Sequence, residues 1–166
     1  VQISYLNLNH AYKTNFSEIE INKYIKKNSN SLKRELIDVS YIKLNPENLT
    51  QSDEFGDEFY KIIDEIENSI INGETINKIT SRHDLTLKVN KNYYLKKNED
   101  NETLKEIYLN RDKDKLNILD KNDHFLLYEI TNAKKILPRI DDVNFLEHLK
   151  EKMLLEEKNR LHAKLI

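Results

Sequence analysis

Ile3-Ser4-Tyr5-Leu6-Asn7-Leu8-Asn9 returns thirty-six residues later as Val39-Ser40-Tyr41-Ile42-Lys43-Leu44-Asn45. Each copy alternates apolar and polar residues with period two, the pattern of a half-buried strand. The repeat predicts strands over about 1–8 and 36–44, and so locates a sheet. Between them, Ser17 is placed to cap a short amphipathic helix from Glu18 to about Lys27, with Ile19, Tyr24 and Ile25 on its buried side. Asn45-Pro46 ends the second strand, because proline brings no donor to the ladder.

Outward from this repeat, the clearest element is a helix over 53–72. Phe55, Phe59, Ile62, Ile63, Ile66, Ile70 and Ile71 recur at three- and four-residue intervals as one apolar stripe. Asp53, Glu54, Asp57 and Glu58 fall in its first turns, where negative charge complements the helix dipole. Gly73 follows as a left-handed cap. Thr75 caps a shorter helix, 76–83, with Ile76 and Ile79 inward. Leu85, Leu87 and Val89 alternate as a strand over 85–90. Asn98–Asn101 reads as a polar loop and Leu104–Leu109 as a short helix. Leu116–Leu119 and His124–Ile130 flank the turn Asp120-Lys121-Asn122-Asp123 as a hairpin. After Pro138 a long helix runs from Asp141 or Asp142 to the end, with Val143, Leu146, Leu149, Met153, Leu154, Leu161 and Leu165 as a narrow seam. Such a helix packs on another module or a partner.

Composition removes several function classes. The chain has 166 residues, 38% apolar and 34% charged, with a net charge of −2. That is one compact domain, or one plus an appendage. Acids and bases interleave without a basic stripe, which argues against nucleic-acid binding. There are no cysteines, so thiol catalysis, disulfides and cysteine-based zinc sites are excluded. Only Gly56 and Gly73 are glycines, too few for a phosphate-cradling loop or a dinucleotide fingerprint. No run approaches the roughly 18 apolar residues of a membrane span. No signal peptide is visible, and both ends read as cut from a longer protein.

His10, His83, His124, His148 and His162 show no metal-binding spacing and read as surface residues, so no metal or cofactor is expected. The tyrosines are more informative. Tyr5 and Tyr41 hold matching places in the two copies, Tyr93 and Tyr94 stand in a loop after the third strand, and Tyr128 is in the last strand. Aromatics on a sheet serve either cross-strand packing or a surface that takes extended peptide.

From residue 36 the order is strand, long helix, short helix, strand, short helix, hairpin. In this order the chain resembles the parvulin family of peptidyl-prolyl isomerases. Val39-Ser40-Tyr41-Ile42-Lys43-Leu44 resembles the family's first strand, and Ile71-Asn72-Gly73-Glu74-Thr75-Ile76-Asn77-Lys78-Ile79 the segment between its first two helices. His124-Phe125-Leu126-Leu127-Tyr128-Glu129-Ile130 resembles the closing strand, and Ile136-Leu137-Pro138-Arg139-Ile140-Asp141-Asp142-Val143 the exit into a C-terminal helix. Asn15–Ile25 is similar to the helix that precedes the parvulin module in periplasmic foldases of the SurA and PpiD type.

Active parvulins carry one histidine in the first strand, where this chain has Tyr41, and a second near Leu126. His124 lies two positions from Leu126 and is expected on the same strand face. The family's glycine-rich loop has no counterpart, because no glycine follows Gly73. Its Met and Phe of the proline pocket are absent too. Rotation about the imide crosses a barrier of roughly 18–20 kcal/mol, and lowering it takes a shaped pocket.

The resemblance therefore implies an α+β fold: a small antiparallel sheet packed with helices, a flanking N-terminal strand and helix, and a long C-terminal helix. Residues 1–30 and 138–166 would belong to a flanking chaperone-type lobe, and 36–134 would form the parvulin-like domain. The implied function is binding of unfolded or extended polypeptide in the periplasm, with isomerase activity lost, no catalytic residue, and a parent anchored in the inner membrane. The binding residues would be Tyr41, Tyr93, Tyr94, His124 and Phe125. A homodimer through the terminal segments is a further expectation, with no nucleic acid or membrane contact by this stretch. The alternatives are an active isomerase with an unusual site and a structural spacer or dimerisation domain.

Overall fold

A computed structural model describes residues 13–96 and 99–164. The strand expected over 1–8 lies outside these residues, as do Asn98 of the polar loop and Leu165 of the helical seam. In chain order the elements are α1 (Glu18–Asn28), β1 (Arg34–Leu44), α2 (Pro46–Thr50), α3 (Asp57–Ile71), α4 (Ile76–Arg82), β2 (Lys88–Tyr93), α5 (Glu102–Leu109), β3 (Leu116–Asp120), β4 (Phe125–Ile136) and α6 (Val143–His162). The class is α+β with a four-stranded antiparallel sheet. The chain divides into two compact units: Glu35–Lys135, and the segments up to Arg34 and from Ile136 onward.

In the Glu35–Lys135 unit the strand order is β2-β1-β4-β3, so the repeat copy at 39–45 supplies a central strand. Side chains alternate across it. Ile37, Val39 and Tyr41 of β1 and Leu126, Tyr128 and Ile130 of β4 face one side, where Leu104 and Ile107 of α5 pack on them. Ile42 and Leu44 of β1 and Phe125 and Leu127 of β4 face the other, against Phe59, Ile63 and Ile66 of α3 and Ile76 and Ile79 of α4. Each of these fully buried aliphatic side chains contributes about 1.5–3 kcal/mol.

α3 begins at Asp57, four residues later than the periodicity predicts. Gly56 holds the N-cap in an extended conformation without a side-chain bond to the helix. Phe55, Asp53 and Glu54 therefore stand outside the helix, and Ile71 at the far end of the stripe is exposed. Gly73 has φ +76°. Its N–H reaches the Ile70 carbonyl at 2.9 Å and the Glu74 N–H reaches Ser69 at 3.0 Å, closing the helix as a left-handed cap. Thr75 caps α4 by accepting from Lys78.

Asn45-Pro46 does more than end β1. Asn45 accepts from the Asn48 N–H and donates its own N–H to the Asn48 side chain, both at 3.0 Å, and Pro46 occupies the first turn of α2. β2 runs over Lys88–Tyr93 rather than 85–90. Leu85 and Leu87 precede it and pack toward α3 and α4. Tyr93 is therefore a strand residue and not part of a loop. A bulge accounts for this: Val39 pairs Asn90 but Ile37 pairs Tyr93, so one residue of β1 opposes two of β2. Asn92 takes φ +54°, and its N–H donates to Asp38 Oδ1 at 2.7 Å. β4 continues past Ile130 to Ile136.

In the other unit Ser17 and Glu20 form a capping box on α1. The buried residue of α1 is Ile21, flanked by Tyr24 and Ile25 one turn on, while Ile19 is exposed. Ile21 and Leu32 pack with Phe145, Leu149 and Met153 of α6. Asp142 caps α6 by accepting from the Phe145 N–H at 3.0 Å, and Arg34 Nη1 bonds its other oxygen at 2.9 Å. Among the described residues no helix is long and apolar enough to cross a membrane.

Candidate functional site

Tyr41 and Tyr93 come together on the α5 side of the sheet, both buried in one cluster with Leu126 and Tyr128. The Tyr93 ring meets Tyr108 edge-on at 5.9 Å. Tyr108 donates its hydroxyl to the Glu35 carbonyl at 3.0 Å, and the Arg111 guanidinium lies 4.3 Å over its ring. Arg111 Nε in turn bonds Glu35 Oε2 at 2.7 Å. These contacts fasten α5 and its following turn over the aromatic face. The hydroxyls of Tyr93 and Tyr128 are buried without an aligned hydrogen-bond partner. Burial first, and then the nearby Glu99 carboxylate, push the Tyr93 phenol above its ordinary range. Burial does the same at Tyr128.

Phe125 opens β4 on the opposite face. Its ring lies 5.8 Å from Phe59, which meets Phe55 edge-on at 5.0 Å and Tyr60 edge-on at 5.5 Å. The row runs from the core to solvent: Phe59 is buried, whereas Phe55 is 40% exposed and Tyr60 48%. His124 stands just before β4 with its ring turned onto Asp123, Nδ1 to Oδ1 at 2.6 Å. That bond holds the Asp123 carboxyl below the usual carboxylate range. Tyr94, half-buried, follows β2 with the Lys96 ammonium 5.9 Å from its ring centre.

The five residues singled out in the sequence thus do not share one surface. Tyr41 and Tyr93 are sealed under α5, and Phe125 belongs to the other side. The sequence pattern missed Tyr60 and misread Phe55 as part of the buried stripe of α3. Gly56 is the signal that could have corrected it, since a helix that starts after glycine leaves Phe55 outside.

The terminal unit carries a groove of about 500 Å³ between α1 and α6. Phe16, Tyr24 and Met153 supply apolar walls, and Glu20, Glu157 and Arg160 charged ones. Tyr24 donates to Glu156 at 2.5 Å, and burial together with that carboxylate pushes its phenol up to about 12. Among the described residues no group of acidic or histidine side chains gathers as a metal site would require. No family model, no curated protein and no solved structure matches this chain.

Proposed function

We propose that this chain is a polypeptide-binding part of a periplasmic folding factor related to the parvulins, holding extended or unfolded segments without turning proline over. The observation that carries the reading is the aromatic row from Phe125 through Phe59 to Phe55 and Tyr60. It offers apolar rings to solvent from a rigid helix-and-strand base, a surface suited to side chains of an extended peptide. The element order of Glu35–Lys135 also supports it, since that is the order in which the chain resembles parvulins.

Loss of turnover is supported by what stands at the family's two histidine positions. Tyr41 and Leu126 are both buried in the cluster under α5, so neither offers an imidazole to a bound imide. In this reading the parent is anchored in the inner membrane, the terminal segments belong to its chaperone lobe, and a second copy can pair through them.

Titration of the isotope-labelled chain with an apolar, proline-containing peptide tests the proposal. Shifts should cluster at Phe55, Tyr60 and Phe125, with no faster cis–trans exchange of the peptide. Accelerated exchange would make the protein an isomerase. An unperturbed spectrum at saturating peptide would leave it a spacer.

A further inference from the structure

Between Leu44 and Asn77 the sequence carries nine carboxylates and one base, Lys61. That stretch has a formal charge of −8 in a chain whose total is −2, so the interleaving of signs found elsewhere is broken here. Some of the acid has a structural use. Asp57 and Glu58 lie in the first turn of α3 and complement its dipole. Glu74 pairs with Lys78 and Arg82. Asp53 and Glu54 have neither use: they stand exposed ahead of Gly56, outside the helix. In sequence they adjoin Phe55, and the rings of Phe55 and Tyr60, 6.5 Å apart, form the solvent end of the aromatic row.

We propose that this end of the row is a docking surface for a cationic polypeptide segment, one in which lysine or arginine accompanies apolar side chains. The proposal rests on the polypeptide-binding reading and narrows its substrate class. Two properties of the surface ask for the same partner. The exposed rings take apolar groups, and their faces also attract ammonium and guanidinium groups. The carboxylates of Asp53 and Glu54 beside Phe55, and of Asp57 and Asp64 one helical turn to either side of Tyr60, raise the local concentration of cations and repel anions. Phosphate-bearing partners, whether nucleic acid or acidic lipid, are disfavoured by the same field. An acidic peptide would find the rings but meet repulsion around them.

Three peptides sharing one apolar core, flanked by lysine, by serine or by glutamate, are titrated into the isotope-labelled chain at about 50 mM and about 500 mM salt. At low salt the lysine-flanked peptide should bind about tenfold more tightly than the glutamate-flanked one, the sum of several exposed charge contacts. Shifts should centre on Phe55 and Tyr60. High salt should remove most of the preference. The double variant Asp53→Asn/Glu54→Gln, which leaves the first turn of α3 intact, should reduce the preference to about threefold while the serine-flanked peptide binds as before. Equal binding of lysine- and glutamate-flanked peptides at low salt, with shifts at Phe55, would overturn the charge selection and leave polypeptide binding standing. Absence of binding by all three would overturn both. A lysine preference that maps elsewhere and survives the double variant would remove the assigned surface.

Discussion

The two faces of the sheet use aromatic residues in opposite ways. Under α5, Tyr41, Tyr93 and Tyr128 are packed with Leu126 and Ile107 into a closed layer. On the α3 side, Phe125 and Phe59 begin in the core, but the row continues outward to Phe55 and Tyr60. The difference lies in where the covering helix starts. α5 brings Leu104 and Ile107 down on the sheet and is fastened by the Tyr108 and Arg111 contacts to Glu35. α3 starts only after Gly56, so the aromatic residue before it is left uncovered. Aromatic residues on a sheet therefore do not by themselves decide whether it offers a surface; where the neighbouring helix starts, and which of its side chains it turns outward, does.

The strongest test of the closed face is Ile107→Ala. This side chain is fully buried and is one of the two buried residues that α5 sets on the sheet. Its truncation should cost about 2–5 kcal/mol, read as a lower urea midpoint for the Glu35–Lys135 unit. A cost under about 1 kcal/mol would mean that α5 covers the face only loosely, and the contrast between the faces would fail.

A finer test separates hydroxyls within the closed face. Tyr108 donates to the Glu35 carbonyl, so Tyr108→Phe should cost about 1 kcal/mol. The Tyr128 hydroxyl has the Asn117 side chain beside it but makes no aligned bond, so Tyr128→Phe should be close to neutral or slightly stabilising. Equal losses in the two variants, measured by the same denaturation, would show that Tyr128 makes a bond in solution.

The elements whose periodicity is local were readable in the chain. The stripe Phe59, Ile63, Ile66 announces α3, and the alternation Val39, Tyr41 announces β1. Gly73 and Ser17 mark caps that form as expected, because a cap is decided by a few neighbouring residues. What could not be read depends on distant partners. Nothing near Tyr93 says that it belongs to a strand, since its place opposite Ile37 comes from a bulge held by Asp38, fifty-four residues before Asn92. Which face is sealed was equally hidden, because α5 is short and its own sequence does not say which strand residues it will cover. Phe55 was a different kind of miss: its spacing fits the α3 stripe, and only Gly56 sets it apart.

Asp38 gives the smallest and most specific effect. Its carboxylate accepts from the Asn92 N–H on β2 and from the Asn132 side chain on β4. The Asn92 bond first, then Asn132, hold its carboxyl below the ordinary aspartate range. A carboxyl that binds its proton less readily in the folded chain adds stability that is present above the unfolded value. That stability is lost as pH falls through the lower folded value. Protonation there removes the charge that holds Asn92 in its left-handed conformation. It should loosen the bulge that sets Tyr93 opposite Ile37. In an acid titration the Asn92 and Tyr93 amide signals should shift together below the usual aspartate range, while those of Phe59 on the other face stay put. Asp38→Asn should abolish that titration and shift the same two signals already at neutral pH. If Asn92 and Tyr93 are unmoved in the variant, the bulge holds without the carboxylate, and the closed face owes its register to packing alone.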